Sequence, residues 1–499
     1  MRAGDLRSAP LVFVSLGMTG AYLVQMIYDA ERMRHAWSYT DGVPVFGILS
    51  DVWPAHVHTS FWAAVTGGIV AAALTLPALV IRLAAGPERA RLPLFVIGVL
   101  ASVALLSPYL VLAAATYAGH AFWLLLCVPT TAAGLWLTGR AQPVRRMPWW
   151  LLTAAFAWGA TVAYGFGHAM NIWFADWLPG TLAPDADDAR DILEARWQAD
   201  TLLQILGAAA VELGKGAGVG VLLLLARQRI TGVPSGLALG AAAGLGVNLA
   251  LTVATGGVFP YWTHQVVGLL AGDTAFTALT GAAFGATRQI GVPKLRRIIV
   301  TCGFLAAIGT HAFSNIMIRG YVTGAADETL VRTLVVSPLV MLATQLPALA
   351  LCGWLLWSGT RTERGGLSAA LAAETATGRG AVLAEEAAVL LSPVRRWSVS
   401  ADVARRSGWA GLRALGRLFA AQDDLAAAGW AVLRGDAGAA ETAAATAPGG
   451  PGAVAPGIAS AAPGVAPGQP GASSAQPDEL DVLRRQVMAR KAEFAAVTG

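Results

Sequence analysis

Glu212-Leu213-Gly214-Lys215 places a carboxylate and an ammonium three residues apart inside the apolar run 201–226. Nowhere else do opposite charges lie midway along a hydrophobic stretch of membrane length. A charge at bilayer depth costs about 2.5–3.5 kcal/mol on insertion scales, so such residues are kept for pairing or for chemistry. At this spacing the two side chains share a helix face and can pair. Three later apolar runs carry further polar groups: Asn248 after Gly244-Leu245-Gly246-Val247, Asp273 after Gly272, and His311 with Asn315 one turn apart. Neighbouring antiparallel helices bring groups of equal depth into one layer of a bundle. Two carboxylates and an imidazole in such a layer suit a divalent metal such as zinc, or the activation of a water. Peptide hydrolysis in a bilayer needs that kind of general base, shielded from lipid yet reached by water.

Each residue also has a plainer use. Asn248 reads as hydrogen-bonding glue between helices. Asp273 suits the outer interface, Glu212 with Lys215 a structural ion pair, and His311 a bond to a backbone carbonyl. The ladder Gly236, Gly240, Gly244 predicts close backbone approach. His56 and His58 fall in an outer loop, and His168 and His264 near outer helix ends.

The elements that position these groups are transmembrane helices. Of 499 residues 56% are hydrophobic and 13% charged, against about a quarter charged in soluble proteins, and mean hydropathy is +0.58. This composition specifies an all-α, polytopic bundle. About ten spans are expected, at 11–28, 61–85, 93–115, 120–138, 147–170, 201–226, 235–256, 265–286, 298–318 and 334–357, with eight or nine left open because 93–138 can be parsed differently. Basic clusters at Arg2/Arg7, Arg82–Arg91, Arg140–Arg146, Arg227/Arg229, Lys294–Arg297 and Arg361/Arg364 then fall on one side. The positive-inside rule makes that side, and both termini, cytoplasmic. The run 11–28 lacks a small-x-small cleavage site and is read as an anchor. Cys127, Cys302 and Cys352 lie in apolar runs with no disulfide or zinc-knuckle spacing.

Composition divides the chain into five N-terminal helices with an acidic outer loop (1–200), a core (201–360), a cytoplasmic helical segment (361–436) and a tail (437–499). Segment 403–419 alternates basic and apolar positions at helical spacing, suiting either an anionic leaflet or its own protein. Residues 437–476 are Ala, Pro and Gly and read as disordered, with a short helix after Asp478.

The order Glu212-x-x-Lys215, Gly236-x-x-x-Gly240 leading to Leu245-Gly246-Val247, Phe276-x-x-x-x-Gly281-x-x-x-Gly285 and His311-x-x-x-Asn315 resembles the PrsW family of intramembrane proteases. That family is related to the wider CPBP (Abi) group of membrane endopeptidases. The resemblance covers roughly 205–316. The first glutamate of the family's Glu-Glu-x-x-Lys falls on Val211, its Glu-Asn pair on Leu251 and Thr252, its third-motif histidine on Asp273 and its last acidic position on Asn315. The resemblance implies a bacterial plasma-membrane endopeptidase acting on membrane-anchored proteins such as anti-sigma factors, with no nucleic-acid partner. Glu212, Lys215 and His311 would be catalytic, Asn248 and Asn315 supporting, and Glu212, Asp273 and His311 ligands to any metal. Two other readings stay open: a non-catalytic scaffold that binds transmembrane helices, and a small-solute transporter.

Overall fold

The computed structural model describes residues 8–37, 55–84, 87–142, 147–182, 189–227, 229–290, 292–323, 329–446 and 477–498, and among them there is no strand. Helices α1 (Ala9–Trp37), α2 (Ala55–Ala84), α3 (Pro87–Leu105), α4 (Ser107–Gly119) and α5 (Ala121–Arg140) come first. Next, α6 (Trp149–Trp158) passes through a π turn, Gly159–Ala163, into α7 (Tyr164–Leu182). The core follows as α8 (Ala189–Leu225), α9 (Val233–Thr255), α10 (Asp273–Ala286), α11 (Pro293–Thr323) and α12 (Ser337–Ala376). Three more helices close the described chain: α13 (Ala384–Leu390), α14 (Pro393–Thr446) and α15 (Pro477–Thr498). The chain forms two compact units, one ending at Gly359 and the other beginning at Thr360.

This is a multi-pass membrane protein, with helix at each of the ten expected places but not ten straight spans. Among the described residues seven helices are long and apolar enough to cross a bilayer, and α3 with α4, bent by 58°, makes an eighth. Pro108 in the first turn of α4 sits at that bend. The expected span 147–170 is α6 and α7 joined by the π turn. The expected span 265–286 becomes α-helix only at Asp273, after a single turn at Val258–Pro260 and a π segment at Tyr261–Val267. Gly256, Gly257 and Gly272 all hold positive φ and break the helix there. Helix α7 runs to Leu182 and α8 starts at Ala189, and Asp185, Asp187 and Asp188 of the acidic outer loop lie outside the described residues.

Helix α9 is apolar all round and is buried along nearly its whole length, as such a helix must be. The glycine ladder explains its fit to α10. A Cβ on Gly236, Gly240 or Gly244 would lie 2.2, 2.3 or 2.1 Å from the carbonyl oxygens of Gly281, Thr277 and Asp273. Only glycine lets the two backbones touch, and the contact fixes the height of Asp273 and Thr277. On another side of α9, a Cβ on Gly159 would meet the Ala243 carbonyl at 1.9 Å, which seats the π turn.

The second unit has its own core of Leu367, Leu371, Leu390, Leu418, Leu425, Trp430 and Val487, with Leu480, Leu483 and Phe494 of α15 packed against it. The terminal helix is therefore docked on this unit. Arg484 grips Glu374 with two hydrogen bonds of 2.8 and 2.9 Å, and Lys491 reaches Glu386 at 2.8 Å. A hydrogen bond from Arg484 holds the Asp481 carboxyl below its usual range. In the 403–419 stretch Leu415 and Leu418 turn inward while Trp409 stays exposed. Residues 437–446 continue α14, and 447–476, read as disordered, lie outside the described residues.

Gly240→Leu should lower the thermal midpoint in detergent sharply, because overpacking costs about 1–3 kcal/mol even where side chains, not backbone, must give way. Gly309→Ala, with open space around it, should leave the midpoint unchanged or raise it. Equal midpoints for both variants would show that the ladder does not set the α9–α10 distance. In the second unit, Val487→Asp buries an unpaired carboxylate and should cost well above the ~1 kcal/mol of an average substitution. Limited proteolysis should then release α15, whereas unchanged protection would contradict its docking.

Candidate active site

Glu212 and Lys215 sit on the inward face of α8 and are fully buried. Lys215 Nζ lies 2.5 Å from Glu212 Oε1 on its own helix and 2.7 Å from Asp273 Oδ1 on α10. Asp273 is the first residue of α10, where the helix dipole favours a carboxylate. From α11, His311 Nδ1 lies 2.9 Å from the same Glu212 Oε1. An ionised carboxylate only accepts, so the imidazole donates its Nδ1–H and keeps Nε2 as the open nitrogen. The ring is clamped from one side by Phe276, with centroids 4.9 Å apart at 20°. Thr277 Oγ1 is 3.1 Å from Glu212 Oε2 and 3.0 Å from the Asp273 carbonyl.

Three helices thus contribute to one layer. Helices α8 and α11 approach where Gly216 faces Phe304, a Cβ there lying 2.4 Å from the ring. With a neutral imidazole the two carboxylates and one ammonium sum to a single negative charge. Burying that set costs several kcal/mol per ion unless each is paired, which these contacts achieve.

Glu212, Lys215, Asp273 and His311 come together; Asn248 and Asn315 do not join them. The Asn248 amide donates to the His264 carbonyl at 3.1 Å and ties α9 to the π segment. Asn315 is half-buried, one turn further along α11. Thr277 was missed by sequence reasoning, its only signal the four-residue step from Asp273; Phe276 entered only as the first residue of its glycine motif, without a role in the site. Val211 packs with Ala163 and Val247, and Leu251 is 36% exposed. Thr252 is buried and bonded to the Asn248 carbonyl at 2.8 Å. On α12, Gln345 Oε1 is buried without a hydrogen-bond partner, its amide lying against Gly272.

Glu212, Asp273 and His311 each offer a ligand atom, all within 4.8 Å of one another. Two carboxylates and an imidazole are a zinc-type donor set, and ligand bonds of about 2.0–2.2 Å would need only modest closure. The donors fit a divalent ion. The Lys215 ammonium occupies the positive position between the carboxylates, so a metal there would compete with it.

Residues 147–343 match the family model described as PrsW family intramembrane metalloprotease. All four clustered residues fall inside that stretch. No curated protein and no solved structure matches the chain.

Lys215→Met strips the counter-charge from two buried carboxylates and should cost about 3–5 kcal/mol. Zinc added to this variant should restore part of the lost thermal midpoint, and by more than it raises the wild-type midpoint, since the ammonium no longer competes. No zinc-dependent shift in either protein would remove the metal from this site.

Proposed function

We propose that this chain is an intramembrane endopeptidase that hydrolyses membrane-anchored, single-span proteins, of which an anti-sigma factor is the type the family resemblance implies. It would work in a bacterial plasma membrane with both termini cytoplasmic. The observation that supports this best is the buried meeting of Glu212, Asp273 and His311 within the PrsW-matching stretch. Glu212 is the general base. Its Oε1 already accepts from Lys215 and His311, so Oε2, which faces Thr277, has capacity left for a water. A proton moves from that water to Glu212 as the water oxygen bonds to the scissile carbonyl carbon. Returned to the amide nitrogen, the same proton lets the C–N bond break and the amine leave. Lys215 orients Glu212 and balances its charge, and His311 holds the carboxylate from the other side. A divalent ion held by Glu212, Asp273 and His311 would supply Lewis acidity and a more acidic water when bound.

The packing of Val211 favours a second reading. The family's first glutamate is replaced here by a side chain sealed against the π turn and α9. A scaffold that binds transmembrane helices without cutting them would need no carboxylate at that place.

Glu212→Gln keeps the shape of the side chain and removes the base. Cleavage of a co-expressed single-span protein should fall roughly 10²–10⁴-fold while the variant still inserts, and His311→Ala should act likewise. Cleavage that survives both substitutions rules the site out. A wild type that retains membrane-anchored proteins on a column but never cuts them establishes the scaffold.

A further inference from the structure

The second unit exposes two tryptophans beside arginines on α14, and we infer that this face rests on an anionic membrane leaflet. Helix α14 is two helices joined at Gly408, whose φ of 61° and ψ of −154° break it. Val394 and Trp397 before the break are 75% and 74% exposed, and Trp409 after it is 69% exposed. At about 100° per residue, Val394, Trp397, Ser398, Ala401 and Arg405 form one stripe, with Arg395 and Arg406 beside it.

The direction of the stripe is set from the opposite flank. Arg396 makes two hydrogen bonds to Asp423, at 2.9 and 2.5 Å, and a third to the Leu390 carbonyl at 2.8 Å. Its guanidinium also lies over the Phe419 ring, 5.6 Å from the centroid. This anchor holds the helix against its own unit, and the tryptophans take no part in that packing. Beyond the break Leu418 fills the core and Leu415 is buried, so Trp409 is spare in the same sense.

Charge selects the occupant. Arg395, Arg405, Arg406 and Arg413 are exposed here; the one acidic residue of the segment, Asp402, lies 3.0 Å from Arg406 and 3.8 Å from Arg405. Four cations against one anion suit a surface of anionic headgroups. Tryptophan is the side chain that settles at the boundary of headgroup and acyl chain. The unit begins at Thr360, just past the apolar run that ends at Trp357, so a bilayer is always within reach.

The test uses the full chain with its three cysteines replaced and a bimane label on Ser398→Cys, reconstituted in nanodiscs. Discs of phosphatidylcholine alone are compared with discs that also contain phosphatidylglycerol. The anionic discs should shift bimane emission to the blue and reduce acrylamide quenching several-fold. Trp397→Ser with Trp409→Ser should abolish both effects. Arg395→Gln with Arg405→Gln and Arg406→Gln should abolish the dependence on phosphatidylglycerol. Identical emission in detergent and in both discs overturns the inference. Shielding that appears in detergent and grows with protein concentration overturns it too, and assigns the face to a second copy of the chain. None of these readouts depends on proteolysis.

Discussion

A lysine ammonium cannot be buried alone at bilayer depth, and much of the membrane unit is arranged to meet Lys215. One carboxylate comes from its own helix, three residues back. The other, Asp273, comes from α10, so α8 and α10 must face one another at this height. A carboxylate at a helix N-terminus is doubly stabilised, by the ammonium and by the free backbone N–H groups. Placing Asp273 there requires the chain to stop being helical just before it. The positive φ of Gly256, Gly257 and Gly272 and the π segment between them are the means. The glycine ladder of α9 then brings α10 close enough to hold the arrangement. One electrostatic requirement thus accounts for a broken span, three special glycines and a ladder.

The same pairing leaves a site whose parts are fixed before any substrate arrives. Glu212 is held on one oxygen by Lys215 and His311 and on the other by Thr277. The imidazole is fixed by a hydrogen bond at one edge and by Phe276 across its face. Catalytic groups locked in this way need no reorganisation as charge develops, which is where most electrostatic catalysis arises. A structural ion pair would need Lys215 and its two carboxylates only. The stacked imidazole and the threonine on Glu212 go beyond that need.

Much of this was legible in the residues, though sometimes for another reason. The i, i+3 spacing of Glu212 and Lys215 fixes their pairing whatever the helix packs against. The meeting with Asp273 was expected from a common depth in two continuous helices; it arises at the start of a short helix instead. Periodicity could not show that the second span begins so late, because Val266–Ala271 is apolar and scans like the start of the expected span 265–286. Asn315 shares a face with His311, but one helical turn is about 5.4 Å, enough to carry it past the cluster. Thr277 was hidden, and the stacking of Phe276 on His311 with it, because a threonine and a phenylalanine in a transmembrane helix look like packing. The docking of α15 rests on few apolar residues, and ion pairs with Arg484 and Lys491, distant in sequence, complete it. No local pattern announces such pairs.

The identity of the central cation is itself informative. Only three of the 35 basic residues, Lys215, Lys294 and Lys491, are lysines. Arginine therefore serves nearly every surface and interface role in this chain. Its planar fork meets carboxylates with separate nitrogens, as Arg484 does with Glu374 through Nε and Nη2 and with Asp481 through Nη1, and Arg396 with Asp423. Position 215 asks for something else: a compact charge on a flexible stem, with one nitrogen serving two carboxylates on different helices. A guanidinium spreads its donors over a fork too wide for a single point between Glu212 and Asp273. The ammonium, with three donors on one atom, fits there and leaves space beside it for His311. Lysine at this position is thus dictated by the geometry of two helices meeting at one charge.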